Sequence, residues 1–305
     1  MGLDRVVIGT RGSTLALWQA DHVAALLRAA HPSLVVERSI IVTTGDRTGP
    51  AWEAGGKAVW VKEIEAALLA GEIDLAVHSL KDVPAELAPG LVLVAIPPRA
   101  DARDALVSRD GVTLANLPAQ ARVGTTSLRR VCQAKALRPD LRLEALRGNL
   151  DTRLRKVADG LVDAAILACA GLDRLGLSHY INERIPIERM LPAIGQGALA
   201  IESRAADERV RLLCRVLASE EAEITVTAER ALLHHLGAGC RTPVAGTARL
   251  QQGELEVLGL VGRPDGGILL RERLAGPPSA AQALGRALAE ALLARGADRI
   301  LAEFR

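Results

Sequence analysis

The chain has 305 residues, a length typical of two or three domains and ample for a core that folds unaided. Lysine and arginine number 38 against 36 aspartate and glutamate, so no global charge favours nucleic acid or an anionic membrane as a partner. Aromatic residues are 2% of the chain, which argues against base stacking, and no apolar run is typical of a secretory or membrane segment. We expect a cytoplasmic protein.

The cysteines and histidines lack the spacing of a metal site. The four cysteines are scattered along the chain, without the paired spacing of zinc ligands. His234 and His235 are adjacent, which would place them on different faces of a helix. We therefore expect no metal, and free thiols by default.

The first hundred residues alternate between strand and helix. Ser13 suits a helix N-cap, and Arg11 would add a positive charge to a helix start that already attracts anions. The predicted elements are a strand at 6–10, a helix ending near residue 32, a strand at 34–43, a mobile surface loop at 44–59, a helix at 61–69 and strands at 73–77 and 91–96.

The strand at 73–77 leads into a carboxylate. Lys81 and Asp82 follow it, and Pro84 then ends regular structure. Open α/β sheets bind ligands at the carboxyl ends of their strands, which makes Asp82 a candidate functional residue. For this stretch alone, a solvated ion pair is the more common arrangement.

The middle of the chain repeats this pattern with arginine at the strand-to-helix junctions. Arginine at an exposed helix start opposes the helix dipole, so its recurrence favours a ligand with several carboxylates, which arginine binds in bidentate pairs. For any single arginine, an ion pair with the protein's own Asp or Glu is an equally open interpretation. The predicted elements are strands at 122–124, 141–146 and 163–168, each followed by a helix.

Two crossings and a change of pattern predict the domain organisation. A Pro-rich stretch at 97–101 and a stretch with Gly195 and Gly197 suit crossings between two lobes. After residue 220 come a helix at 224–236, a loop, three alternating strands and a closing helix. We predict two hinged, periplasmic-binding-protein-like α/β lobes plus a small α+β C-terminal domain. Domain 1 would span 1–98 and 198–217, domain 2 102–192 and domain 3 220–305.

Five separated motifs resemble the porphobilinogen deaminase family, also called hydroxymethylbilane synthase. They occur in the family's order, and the resemblance runs from Ile8 to the closing helix. The motifs are VHSLKDVP at 77–84, GTTSLRR at 124–130, LRGN at 146–149, LPAIGQGA at 191–198 and GAGC at 237–240.

The resemblance implies a monomeric transferase that condenses four molecules of its substrate porphobilinogen head to tail into hydroxymethylbilane, releasing ammonia. It also implies a dipyrromethane cofactor, bound as a thioether to Cys240 and retained as a primer. Asp82 matches the catalytic aspartate. Residues that match cofactor contacts are Ser79, Lys81, Asp82, Thr125, Ser127, Arg129 and Arg130, and those that match substrate contacts are Arg11, Ser13, Gln19, Arg147, Arg153 and Arg174.

A different class of protein would share much of this pattern. A hinged polycarboxylate-binding or ligand-sensing protein without catalysis would need the same lobes and arginines. Asp82 and Cys240 discriminate, because a pure carboxylate binder has no evident use for an acid in a cationic cleft or for a loop thiol.

Overall fold

The computed structural model describes residues 5–47, 61–239 and 241–304. The chain divides into two compact units, the first comprising Met1–Arg99 and Ala198–Glu223 and the second Ala100–Gly197 and Ile224–Arg305. The three predicted domains, with their boundaries, stay a prediction. No helix within the described part of the chain has the length and apolarity needed to cross a membrane.

Strands and helices alternate through most of the chain. The strands are β1 (Arg5–Thr10), β2 (Val35–Ile40), β3 (Leu75–Ser79), β4 (Leu91–Ala95), β5 (Asp104–Ser108), β6 (Arg122–Gly124), β7 (Arg142–Glu144), β8 (Ala164–Ala168), β9 (Glu183–Ile185), β10 (Leu199–Arg204), β11 (Val244–Gln251), β12 (Glu254–Gly262) and β13 (Leu269–Gly276). The helices are α1 (Thr14–Ala30), α2 (Thr44–Arg47), α3 (Lys62–Leu69), α4 (Leu128–Leu137), α5 (Leu150–Ala158), α6 (Cys169–Arg174), α7 (Glu208–Arg215), α8 (Glu220–His235), α9 (Ala281–Ala294) and α10 (Ala297–Ala302).

The two units contain five-stranded sheets of the same topology. In the first unit the order is β2-β1-β3-β10-β4, with β1 parallel to β2 and β3, and β10 antiparallel to β3 and β4. In the second unit the order is β7-β6-β8-β5-β9, with β6 parallel to β7 and β8, and β5 antiparallel to β8 and β9. In each sheet, three parallel strands therefore end at one edge, where the neighbouring antiparallel strand begins.

Strand β3 shows why this part of the sequence is a continuous apolar run. Leu75 and Val77 pack into the cluster that contains the apolar face of α1, whereas Ala76 packs with Ile64 and Leu68 of α3. Successive side chains of a strand point to opposite faces, so a strand covered by helices on both sides is apolar at every position. This burial fixes the strand and hence the polar turn that follows it.

The C-terminal part of the second unit is a separate layer. Strands β11, β12 and β13 form an antiparallel sheet, and α9 packs against β12 and β13. Its core includes Leu232 of α8, Val257 of β12 and Leu288 of α9, all fully buried. The predicted fold class, α/β lobes followed by a small α+β part, is confirmed.

Most predicted elements are confirmed to within a few residues, including the Ser13 N-cap of α1, whose side chain accepts a hydrogen bond from the Ala16 amide. Five elements were missed, namely β5, β9, β10, α7 and α10, each eight residues or fewer. Short elements give little periodicity, and their pairing partners are distant in sequence. The predicted strand at 34–43 ends earlier, at Ile40. Residues 44–47 of the predicted loop form α2, and residues 48–59 lie outside the described residues.

Candidate active site

The predicted site residues follow the carboxyl ends of parallel strands in each unit. In the first unit, Arg11 and Ser13 follow β1, and Lys81 and Asp82 follow β3. In the second unit the 125–130 segment follows β6, and Arg147 follows β7. Because parallel neighbours end at the same edge of a sheet, each unit gathers its own polar groups at one edge.

The turn that carries Asp82 is held by hydrogen bonds on both sides. Gln19, which is 2% exposed, donates from Nε2 to the Ser79 hydroxyl at 2.8 Å. The Leu80 amide donates to the carbonyl oxygen of Ala198 at 3.0 Å. Asp82 ends the short 3₁₀ turn that follows, and its side chain is half-buried. The Asp82 carboxylate forms no ion pair or hydrogen bond with any side chain or backbone group of residues 5–47, 61–239 and 241–304.

Arg11 is already paired with a carboxylate of its own unit. Its Nη2 lies 2.6 Å from Oδ1 of Asp46, and its Nε donates to Oδ2 at 3.3 Å. Burial raises the pKa of Asp46, but hydrogen bonds from Arg11 and Thr43 outweigh it and leave the pKa below its ordinary value. A substrate carboxylate at Arg11 would therefore compete with Asp46.

The loop after β6 offers hydroxyl groups beside a helix start. Thr125 is buried, and its hydroxyl oxygen accepts a hydrogen bond from the Ser127 amide at 3.2 Å. Ser127 is the N-cap of α4, yet its side chain makes no capping hydrogen bond. The start of α4 thus keeps backbone N–H groups that suit an anion.

Arg129 and Arg130 point into the protein and share one carboxylate, that of Asp104. Arg129 Nη1 lies 2.6 Å from Oδ2 of Asp104, and Arg130 Nη2 lies 2.7 Å from Oδ1. The side chains of Arg129 and Arg130 are 4% and 7% exposed, and that of Asp104 is fully buried. Burial raises the pKa of Asp104, but the two guanidinium charges and their hydrogen bonds outweigh it and hold that pKa well below its usual range.

Sequence reasoning missed Asp104 because it looked for acids after strands. Asp104 is the first residue of β5, and it pairs with Ala168 at the end of β8. Since β5 runs antiparallel, its beginning lies at the edge where the parallel strands end. The only signal in the sequence is an acid directly before a short apolar run at 105–107.

Two further arginines lie at the beginning of α5. Arg147 is exposed, and Arg153 donates from Nε to the Gly148 carbonyl oxygen at 2.8 Å. Asn149 caps this helix by accepting a hydrogen bond from the Thr152 amide. Both predicted substrate residues therefore lie on one exposed helix terminus.

Arg174 ends α6 and reaches the glycine-rich crossing. Its Nη2 donates to the carbonyl oxygen of Gly197 at 2.7 Å. Gly197 has a φ of +88°, and an added Cβ would lie 2.4 Å from the Ala100 carbonyl oxygen, so no other residue fits without displacement of backbone. Burial lowers the pKa of Arg174 to about 10. An anionic ligand would offset that desolvation.

Three of the predicted arginines form ion pairs with carboxylates of the protein. The ion-pair interpretation describes Arg11, Arg129 and Arg130, which contact Asp46 and Asp104. Arg153 and Arg174 donate to the backbone carbonyl oxygens of Gly148 and Gly197. An arginine that already holds a scaffold carboxylate can still bind a ligand, because a guanidinium has five N–H donors.

Three cysteines are poor candidates for covalent attachment. Cys132, Cys169 and Cys214 are buried free thiols, and burial raises the pKa of each to about 12. The thiolate is the nucleophilic form, so these thiols are inert at neutral pH. Cys240, the predicted attachment residue, lies outside the described residues.

The donor set fits a carboxylate-rich cofactor. The hydrogen bonds of Arg129 and Arg130 each use three of five N–H donors, which leaves two on each guanidinium. One of these, Nε of Arg129, is buried and has no hydrogen-bond partner among the described residues. Among the same residues, no cluster of His, Cys, Asp and Glu is arranged to hold a metal ion.

Comparison with known proteins identifies the family of the chain. The family profile described as porphobilinogen deaminase, dipyromethane cofactor binding domain, matches residues 6–212, and the profile of the C-terminal domain matches residues 223–294. A porphobilinogen deaminase of Syntrophotalea carbinolica is 51% identical, covering 97% of this chain and 94% of its own length. One of Syntrophomonas wolfei is 47% identical, covering 98% of each.

Among solved structures, a TRAP periplasmic solute binding protein of Desulfovibrio salexigens matches 72% of this chain and 73% of its own, with 11% identity and a TM-score of 0.44. The two profiles together span nearly all of the chain, including its cofactor-binding part. The chain belongs to the porphobilinogen deaminase family.

Proposed function

We propose that the chain condenses four porphobilinogen molecules head to tail into hydroxymethylbilane with release of ammonia, as a transferase. The observation that carries this proposal is the sequence identity of 51% and 47%, over nearly the whole chain, to two proteins named porphobilinogen deaminase. The grouping of arginines and one acid at strand ends supports it, because each pyrrole unit brings an acetate and a propionate. The monomeric state and cytoplasmic location stay predictions.

Asp82 is proposed as the catalytic residue. Positive charge develops on the reacting pyrroles when ammonia leaves and when the carbon–carbon bond forms. A half-buried carboxylate without an ion-pair partner in the described part of the chain is available to stabilise that charge and to transfer a proton to the departing amine. At about 4 Å and an effective dielectric of 20, the attraction is ~4 kcal/mol.

The residues proposed to bind the dipyrromethane cofactor are Ser79, Lys81, Asp82, Thr125, Ser127, Arg129 and Arg130, with Cys240 as its attachment point. When bound, the cofactor supplies the pyrrole carbon to which the first substrate unit is added. The other three cysteines are buried and their thiols are inert, which supports Cys240 as the attachment residue. Arg11, Ser13, Gln19, Arg147, Arg153 and Arg174 are proposed to bind the substrate or the growing chain.

Incubation of the purified chain with porphobilinogen tests the function directly. We expect consumption of four porphobilinogen molecules and release of four ammonia molecules for each hydroxymethylbilane. A chain that binds porphobilinogen but releases no ammonia would instead be a polycarboxylate-binding protein, the alternative that shares the same arginines.

Replacement of Arg147 or Arg153 with leucine is expected to stall chain elongation. Loss of one charge-assisted contact of ~1.5–3 kcal/mol lowers product formation about 10- to 100-fold. Intact-mass spectrometry after brief incubation with porphobilinogen should show accumulated enzyme with one to three added units.

Arg155 provides the matched control for these two arginines. It is exposed on the same helix, α5, and it is not a predicted site residue. The Arg155→Leu variant should elongate the bound pyrrole chain at the normal rate. Normal product formation by both Arg147→Leu and Arg153→Leu would show that these arginines do not bind the growing chain.

A further inference from the structure

The Asp104 carboxylate accepts hydrogen bonds from three side chains at the strand edge of the second unit. Its Oδ1 accepts hydrogen bonds from Arg129, from Nε and Nη2 of Arg130 and from Gln196, at 2.7 to 3.2 Å, and its Oδ2 accepts one from Arg129 at 2.6 Å. Because these donors leave little acceptor capacity and the residue is fully buried, Asp104 is not itself a ligand-binding group.

The charges around Asp104 do not balance. Two guanidinium groups share one carboxylate, which leaves one net positive charge in a buried region. Burial lowers the pKa of Arg130; the charge of Asp104 raises it, and the neighbouring Arg129 lowers it again. An additional anion beside the arginines would therefore be stabilised.

The contacts also orient the arginines. The carbonyl oxygens of Leu191 and Ile166 accept from Nη1 of Arg129 and Arg130, both at 2.8 Å, while Asp104 holds the other side of each guanidinium. The crossing that carries Gln196 is itself anchored, because the Gly195 amide donates to Oε2 of Glu229 on α8 at 2.6 Å. The donors that stay unused thus have a fixed direction.

We propose that Asp104 is a positioning residue and resident counter-ion that holds Arg129 and Arg130 in place for the carboxylates of the cofactor and partly neutralises them before the cofactor is attached. This inference rests on the proposed function. It makes Asp104 and the cofactor alternative sources of negative charge for the same two cations. The stabilising effect of Asp104 should consequently be larger when the cofactor is absent.

A double-mutant cycle tests this coupling. The effect of Asp104→Asn on the apparent Tm is measured in two backgrounds. One is the wild-type chain, which carries the cofactor, and the other is Cys240→Ser, which lacks the attachment point of the cofactor. We expect the loss in apparent Tm to be at least about 5 °C larger in the Cys240→Ser background, since two buried cations then have no counter-ion. Intact mass establishes which chains carry the cofactor.

Asp163 provides the matched control. It pairs with Arg122 at 2.9 Å, at the opposite edge of the same sheet, where the parallel strands begin. Asp163→Asn should lower the apparent Tm equally in both backgrounds. A merely structural role of Asp104 predicts the same equality for Asp104→Asn, and that result would overturn the proposal.

The remaining outcomes are also decisive. If Asp104→Asn folds but carries no cofactor, while Asp163→Asn does carry it, the positioning role of Asp104 is supported. If Asp104→Asn does not fold, Arg130→Gln is added to restore the net charge and the cycle is repeated; a chain that stays unfolded contradicts the counter-ion role. A wild-type chain that carries no cofactor would instead refute the proposed function. If the wild-type chain carries the cofactor and Asp104→Asn lowers the apparent Tm equally in both backgrounds, only this inference is refuted.

Discussion

Asp82→Asn is expected to lower kcat for porphobilinogen condensation about 1,000-fold, because ~4 kcal/mol of charge stabilisation corresponds to roughly three decades in rate. The amide keeps the size of the side chain but loses the negative charge and the ability to take up a proton. Since this stabilisation acts in the transition state, kcat and kcat/KM should fall together. Steady-state kinetics with porphobilinogen provide the measurement.

Two further observations separate this effect from a loss of structure. The turn is held by Gln19, Ser79 and backbone groups rather than by the Asp82 side chain, so the apparent Tm and the cofactor mass should stay unchanged in Asp82→Asn. Asp82→Glu retains the charge at a shifted position and should recover part of the activity. Near-normal kcat in Asp82→Asn would remove this residue from the catalytic role.

Cys240→Ser is expected to abolish turnover and to reduce the intact mass by one dipyrromethane in addition to the change of sulfur to oxygen. A serine hydroxyl is a far weaker nucleophile than a thiolate at neutral pH, so the thioether does not form and the chain has no primer. Intact-mass spectrometry of the wild-type and variant chains, purified from a host that makes porphobilinogen, provides the measurement.

Cys214→Ala is the matched control for this prediction. Cys214 lies fully buried in the core of the first unit, and its thiol is kept protonated by burial. This variant should lose some stability but keep the cofactor mass and the activity. Cofactor retained in Cys240→Ser, or lost in Cys214→Ala alone, would place the attachment elsewhere.

The sequence by itself determined the elements and the candidate residues. Apolar runs such as the one before Asp82 identify strands covered on both faces, and the Ser13 cap identifies the beginning of α1, because these signals depend on neighbouring residues only. The motifs around Asp82 and at 124–130 likewise carry the family resemblance without any knowledge of contacts. The family assignment was therefore accessible from the residues alone.

Only the tertiary structure decided what the arginines contact. Asp104 lies 25 residues before Arg129, and Asp46 lies 35 residues after Arg11, and neither pairing follows from local pattern. Asp104 reaches Arg129 because β5 runs antiparallel to β8, which brings the beginning of one strand to the end of the other. Such a contact depends on strand order, and strand order is set by how the whole sheet buries its apolar faces.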